Sequence, residues 1–150
     1  MGRFKTLVYA VFLTLPAGAT MAERVNIASN ATVQISVERL TDAVQRAGAR
    51  VFATVDFAKG AASVGQSLRP TTVVVFGSPK IGATALLQGQ TMALYLPLRI
   101  LFFEDANGQT WATYDDPSGV APSHGLAADD KAVLRMQDAL ENFSSIAAGD

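Results

Sequence analysis

Three short segments hold the side chains best placed to do chemistry. Gly77-Ser78-Pro79-Lys80 follows the apolar run Thr72-Val73-Val74-Val75-Phe76. A strand that turns into a helix at such a step points backbone N–H groups, the positive helix end and a lysine at one spot. That combination can bind an anion or a carboxylate. Pro79 withdraws one donor from the set. The same residues also make a complete helix start without any ligand, with Ser78 as N-cap and Pro79 at the first helical position. Tyr114-Asp115-Asp116-Pro117 sets two carboxylates side by side. Neighbouring carboxylates can separate their pKa values for acid–base work or hold a hard cation. Asp before Pro equally starts a turn. His124, the single histidine, lies in a loop-like stretch and could serve as a base or a pH-sensitive contact. With Met92 or Met136 as a soft second ligand it could hold haem or copper. Ser36, Ser78, Ser118 and Ser123 occupy no nucleophile-elbow motif, which leaves a Ser-His-Asp hydrolase without support. Tyr95, Phe102, Phe103, Trp111 and Tyr114 cluster along the sequence as a ligand floor or a dimer interface, and simple alternation assigns about half of them to a core face.

Composition narrows these options. The 150-residue chain has no cysteine, which excludes disulfides, thiolate catalysis and cysteine-bound metal. One histidine excludes a multi-histidine metal site. Hydrophobic residues make up 49% and charged residues 17%, a core-forming composition rather than a disordered one. The formal net charge is −1; without Arg3 and Lys5 the 12 basic residues become 10 against 13 acidic, a net of −3. A mildly acidic domain with no basic run is a poor partner for nucleic acid.

The elements that must position these groups read as follows. Arg3 and Lys5 precede the apolar run Leu7 to Leu15; Pro16, Gly18 and small residues follow. This fits an export signal cleaved after Ala19 or, preferably, Ala22, and the run is short for a membrane span. The signal is therefore expected at 1–22, a polar lead-in at 23–30 and one domain at 31–146, periplasmic or secreted and without stable membrane insertion once the signal is removed. Residues 31–36 alternate as a strand. A helix capped by Ser36 runs to Ala47, with Gly48 ending it. A second strand spans 51–58, with Val51, Ala53, Val55 and Phe57 on one core face. A weak helix or loop covers 61–68. Residues 71–77 are a β-branched run expected to be buried on both faces. A helix follows from Ser78 to Gln88. Met92 to Glu104 is apolar and extended, with the strand proper starting after Pro97. Asp105-Ala106-Asn107-Gly108 is a hairpin turn, and Gln109 to Tyr114 returns. Asp129 or Asp130 caps a last helix lined by Val133, Met136, Leu140 and Phe143, with a frayed end from Ala147. The order predicts an α+β two-layer sandwich: a mixed or mostly antiparallel sheet with helices on one face.

The strand-turn-helix Thr72 to Lys80, the stretch Leu94-Tyr95-Leu96-Pro97 through Glu104-Asp105-Ala106-Asn107-Gly108, and Trp111 to Pro117 occur here in one order. Together they resemble the domain of unknown function 302 family over residues 31–143. The resemblance implies a TATA-binding-protein-like α+β fold, no assigned activity and a homodimer. Many relatives carry a cysteine where this chain has Phe76 or Gly77, so a thiol-based role does not transfer. The leading functional expectation is an exported, non-enzymatic module that binds a small molecule or protein partner. It has no catalytic residue, cofactor or metal, and its ligand site comprises Ser78, Lys80, Tyr114, Asp115, Asp116 and His124. The alternatives are an acid–base enzyme using Asp115 or Asp116 with His124, and a haem or copper carrier through His124.

Overall fold

A computed structural model describes residues 22–149 of the chain. The expected export signal lies outside the described residues apart from Ala22. The segment expected as a lead-in forms strand β1 (Arg24–Ser29), and the strand expected at 31–36 instead opens helix α1 (Val33–Arg46). Val33 and Ile35 fit an alternating pattern, but the longer helical pattern wins. Val33, Ser36, Leu40, Ala43 and Val44 bury along one helical stripe, whereas a short strand there would bury two side chains. Thr32, not Ser36, is the N-cap, accepting a hydrogen bond from the Ile35 N–H. Ser36 lies inside the helix with its hydroxyl 2.8 Å from that of Ser29.

Strand β2 (Arg50–Asp56) contains a bulge between Val51 and Ala53, with Phe52 as the extra residue. One inserted residue reverses the alternation of everything beyond it. Val51 therefore pairs with Phe76 on the helix side, while Ala53 and Val55 pair with Val75 and Val73 on the opposite side. The single core face expected for Val51, Ala53, Val55 and Phe57 does not form, and the last three are exposed. Asp56 ends the strand and caps helix α2 (Phe57–Ser63) through a 2.8 Å bond from the Lys59 N–H, so this helix starts earlier than the expected 61–68.

Strand β3 (Thr71–Gly77) buries Thr72, Val74 and Phe76 on one face only, leaving the other half-buried. Helix α3 (Pro79–Gln88) follows. A 3-10 turn spans Gln90–Tyr95, where extended chain is expected, before β4 (Leu98–Glu104) begins directly after Pro97. The turn to β5 (Thr110–Asp115) is organised by Asp105, whose Oδ1 accepts hydrogen bonds from the N–H groups of Asn107 and Gln109. Gly108 there has φ +81°, a conformation that favours glycine. Two 3-10 turns, Pro117–Gly119 and Ala121–His124, lead to α4 (Lys131–Ala148), capped by Asp130. Its end is pinned rather than frayed. Ala147 and Ala148 are buried, and the Asn30 N–H donates to the Ala148 carbonyl at 3.0 Å.

The sheet order is β1-β5-β4-β3-β2, and every neighbouring pair is antiparallel. Helices α1 and α4 pack against one face and each other, and α3 leans on α4. Between the layers Leu40, Val74, Phe76, Ile100, Phe102 and Met136 are fully buried, and Phe76 meets Phe143 edge-on at 5.4 Å. Each such side chain contributes about 1.5–3 kcal/mol by leaving water. This is the expected two-layer α+β sandwich, antiparallel throughout. Its opposite sheet face carries Val73, Val75, Leu101, Phe103 and Trp111, all half-buried.

Candidate functional site

The β4–β5 ladder does not run the length of both strands. It pairs Glu104 with Thr110 at the turn, then Phe103 with Trp111 and Phe102 with Ala112, and stops at Leu101–Thr113. Beyond that point β4 stays with β3 through Ile100, Arg99 and Leu98, while β5 stays with β1 through Tyr114 and Asp115. The two strands part, and a cleft of about 680 Å3 runs from the gap between them along the open sheet face, past Val73, Leu101 and Phe103, to Arg69 and Glu104 near the turn. On the open sheet face it is bordered by Arg24, Arg99 and Asp115; deeper, by Leu98, Tyr114, Val120 and Leu140. Backbone N–H and C=O groups on the facing strand edges have no ladder partner there and are left for water or a ligand.

Each side of the cleft is held by its own contacts. The Asp116 N–H donates to the Glu23 carbonyl at 2.8 Å, and the Arg24 Nε donates to the Asp115 carboxylate at 3.3 Å. Both groups of that ion pair are exposed. Asp116 caps the first 3-10 turn. It accepts from the Ser118 N–H at 2.8 Å, the Ser118 hydroxyl at 2.7 Å and the Gln137 amide at 3.0 Å on both oxygens. Burial pushes its pKa up, but the hydrogen bonds from Ser118 and Gln137 outweigh burial and hold the carboxyl below its ordinary value. Tyr114 is buried, and burial raises its phenol pKa, against the lowering effect of its hydrogen bond with Ser144, with Glu141 and Asp116 adding to the rise. It is a neutral wall of the cleft.

The six residues expected to form one site are distributed over three places. Tyr114, Asp115 and Asp116 line the cleft. Ser78 lines a separate apolar groove of about 390 Å3 with Phe52, Ile81, Leu86, Leu96 and Pro97. Its hydroxyl accepts from the Lys80 N–H at 3.3 Å, as an N-cap does, and the Lys80 side chain is exposed. His124 lines neither space. Its Nδ1 is 2.9 Å from the Thr91 hydroxyl, and its ring lies 5.1 Å from that of Tyr95. The close approach of its loop requires Gly89, where a Cβ would overlap the His124 carbonyl. Met92 and Met136 are both fully buried. Among the described residues no group of three or more His, Asp or Glu side chains is placed to hold a metal ion. The aromatic cluster also divides: Phe102 and Tyr114 face the helices, while Phe103 and Trp111 face each other across the open side.

The charged cleft residues that sequence reasoning missed are Arg69 and Glu104 toward the turn and Arg24 and Arg99 at the mouth. A signal existed for Arg24 and Arg99. Counting outward from the Asp105–Gly108 turn sets Arg99 opposite Asp115, and recognising the 24–29 alternation as a strand would have brought Arg24 to the same edge. Asp105 was likewise read only as a turn residue. Its Oδ2 also accepts from the Trp111 indole N–H at 3.0 Å. That bond, then the Gln109 N–H, hold its carboxyl below the usual range, helped by the Asn107 N–H and Arg69 and opposed by desolvation.

A five-stranded antiparallel sheet backed by helices α1 and α4 and open on its other side defines a small α+β sandwich domain. The crystal structure of an uncharacterized conserved DUF302 protein from Bacillus stearothermophilus shares this fold. It has a TM-score of 0.74 at 14% identity, over 83% of this chain and 97% of that one. Residues 25–143 match the family model of the domain of unknown function DUF302, and the chain belongs to that family. The chain is also 34% identical over 127 residues to the "Fluoride-specific ion channel FluC 1" of Brucella suis biovar 1 and to "Fluoride-specific ion channel FluC 2" of Brucella melitensis biotype 1. The match takes in 84% of this chain but 50% and 47% of those proteins, so the chain spans about half the length of the curated relatives it matches. Among the described residues no helix is long and apolar enough to cross a membrane.

Proposed function

We propose that this domain is a non-enzymatic binding module that holds a small molecule in the cleft between the parted ends of β4 and β5. The cleft itself carries the reading. Its volume of about 680 Å3 falls within the usual range of small-molecule sites, and it joins an apolar interior to a charged mouth. Catalysis by Asp115 or Asp116 with His124 has less support. Asp116 is committed to a cap at a depressed pKa, and His124 is hydrogen-bonded with Thr91 and does not itself line the cleft, although Tyr95, against which its ring packs, does. A haem or copper role through His124 has less support for a similar reason, because both methionines are sealed in the core. The half-length match to larger proteins supports a modular role, since the same domain serves there as one part of a longer chain.

The same proposal includes export, supported by the basic, apolar and small-residue pattern of residues 1–22, and assembly as a homodimer, supported by the family resemblance. N-terminal sequencing of the protein from the exported fraction checks the first, with Glu23 or Thr20 expected as the new terminus. Light scattering on the eluted peak checks the second. The ligand is sought by native mass spectrometry of protein from its own host beside a denatured control. An extra mass that is lost in Val120→Trp, a variant that fills the cleft, is the expected result. An identical mass in both spectra, with no small molecule released on denaturation, removes the support for a resident ligand.

A further inference from the structure

We infer that the cleft selects an amphipathic organic anion, a carboxylate with an apolar body; this rests on the binding reading above and names its ligand class. The argument begins with Arg99. It projects from the open face of β4 at the mouth of the cleft and is exposed. Register would set it against Asp115, but the ladder ends one pair earlier at that face, at Leu101–Thr113. Asp115 is taken by Arg24 instead, in the one ion pair found among the described residues. Arg99 thus stands on one lip of the cleft without an ion-pair partner, and the Arg24–Asp115 pair stands on the other.

The pairing of Arg24 with Asp115 uses its Nε, which leaves the two terminal nitrogens of that guanidinium as donors. Two planar guanidiniums on opposite lips suit a planar, two-oxygen anion, because each can offer parallel N–H donors to a carboxylate. Asp116, the other carboxylate at this end, is ionised, but its oxygens are taken by hydrogen bonds from Ser118 and Gln137; Arg69 and Glu104, the remaining charged lining residues, carry opposite charges and lie toward the turn. Below the lips the lining turns apolar at Leu98, Val120 and Leu140, with Tyr114 presenting a neutral ring. A small inorganic anion leaves that lower volume empty. A neutral lipid-like molecule leaves Arg99 unmatched. A cation meets Arg99, which has no ion-pair partner among the described residues, and finds Asp115 and Asp116 already engaged by Arg24, Ser118 and Gln137.

The test is calorimetric titration of the protein, purified as the cell produces it, with decanoate, decanol and decylamine in turn. Decanoate is expected to bind at least tenfold more tightly than either of the others and to weaken as salt is raised, since the mouth is solvent-exposed. Arg99→Gln is expected to weaken decanoate at least tenfold and leave decanol unchanged. Arg135→Gln, an exposed change on α4 outside the cleft, is expected to change neither, and circular dichroism checks that each variant folds. If decanoate and decanol bind alike, Arg99→Gln is silent and Val120→Trp abolishes both, the anion assignment is overturned while the cleft reading stands. If probe binding survives Val120→Trp, both readings fall. Absence of any decanoate binding at millimolar concentration also overturns the anion assignment.

Discussion

The two ends of the β4–β5 pair are built from the same two strands and behave oppositely. At the turn the strands are laddered from Leu101–Thr113 to Glu104–Thr110 and locked by Asp105, which binds the Asn107 and Gln109 N–H groups and the Trp111 indole. At the other end they part. Arg24 and the Glu23 carbonyl hold β5 toward β1, and Ser118 and Gln137 tie Asp116 down beside α4. A strand pair closes where its contacts are local. It opens where the β4–β5 ladder stops and each strand is left with its outer neighbour alone, and the opening is where a ligand can enter.

The sharpest way to break the closed end is Phe102→Ala. Phe102 is fully buried in the laddered stretch, so its removal leaves a cavity and costs about 3–5 kcal/mol, measured by urea denaturation. A loss well under 2 kcal/mol would mean that the core there collapses onto the gap. At the open end Asp116→Ala removes a cap and the Gln137 contact. A loss of about 0.5–2 kcal/mol is expected, together with faster amide exchange from Pro117 to His124. Unchanged exchange in that segment would show that Asp116 does not hold that side of the cleft.

Acid treats the two ends alike. Asp105 and Asp116 both titrate below the ordinary carboxylate range in the folded protein, so the unfolded chain takes up their protons first as pH falls. Their contribution is complete above about pH 4, the unfolded value, and is lost as pH drops through the depressed folded values. Asp105→Asn should flatten part of this acid limb, and Trp111 emission, from the only tryptophan, should report the change at the turn. An acid limb identical to that of the parent chain would remove Asp105 from this account. The smallest effect on stability is expected from Arg24→Gln. Its ion pair is solvent-exposed, so the change should stay within about 1 kcal/mol. The same substitution should weaken decanoate binding, which separates a role in holding the fold from a role in holding a ligand.

Local chemistry made several parts of the molecule readable. Ser78-Pro79, Asp130 and the Asp105–Gly108 turn act on backbone groups within a few residues, and each is found where the sequence places it. The β-branched run at 71–77 and the Val133-Met136-Leu140-Phe143 stripe also fell in the expected elements. The failures are of another kind. β1 was missed because Val25 and Ile27 bury only through pairing with β5, far along the chain. The Phe52 bulge reversed a face that looked regular, because register is set between strands rather than within one. Of the expected site, Tyr114, Asp115 and Asp116 reach the cleft, while Ser78 and His124 are engaged elsewhere and Lys80 is exposed outside it, and Arg24 and Arg99 went unnoticed.

By itself, then, the sequence determined the α+β class, the caps of α3 and α4, the hairpin and the exclusion of cysteine chemistry, because those follow from composition and from contacts a turn or two long. Only the tertiary structure decided that β4 and β5 part at Leu101–Thr113. That parting lies among pairings of residues distant in sequence, β5 held to β1 through Asp115 and Arg24 and β4 held to β3 through Arg99 and Val75, and no local pattern records them.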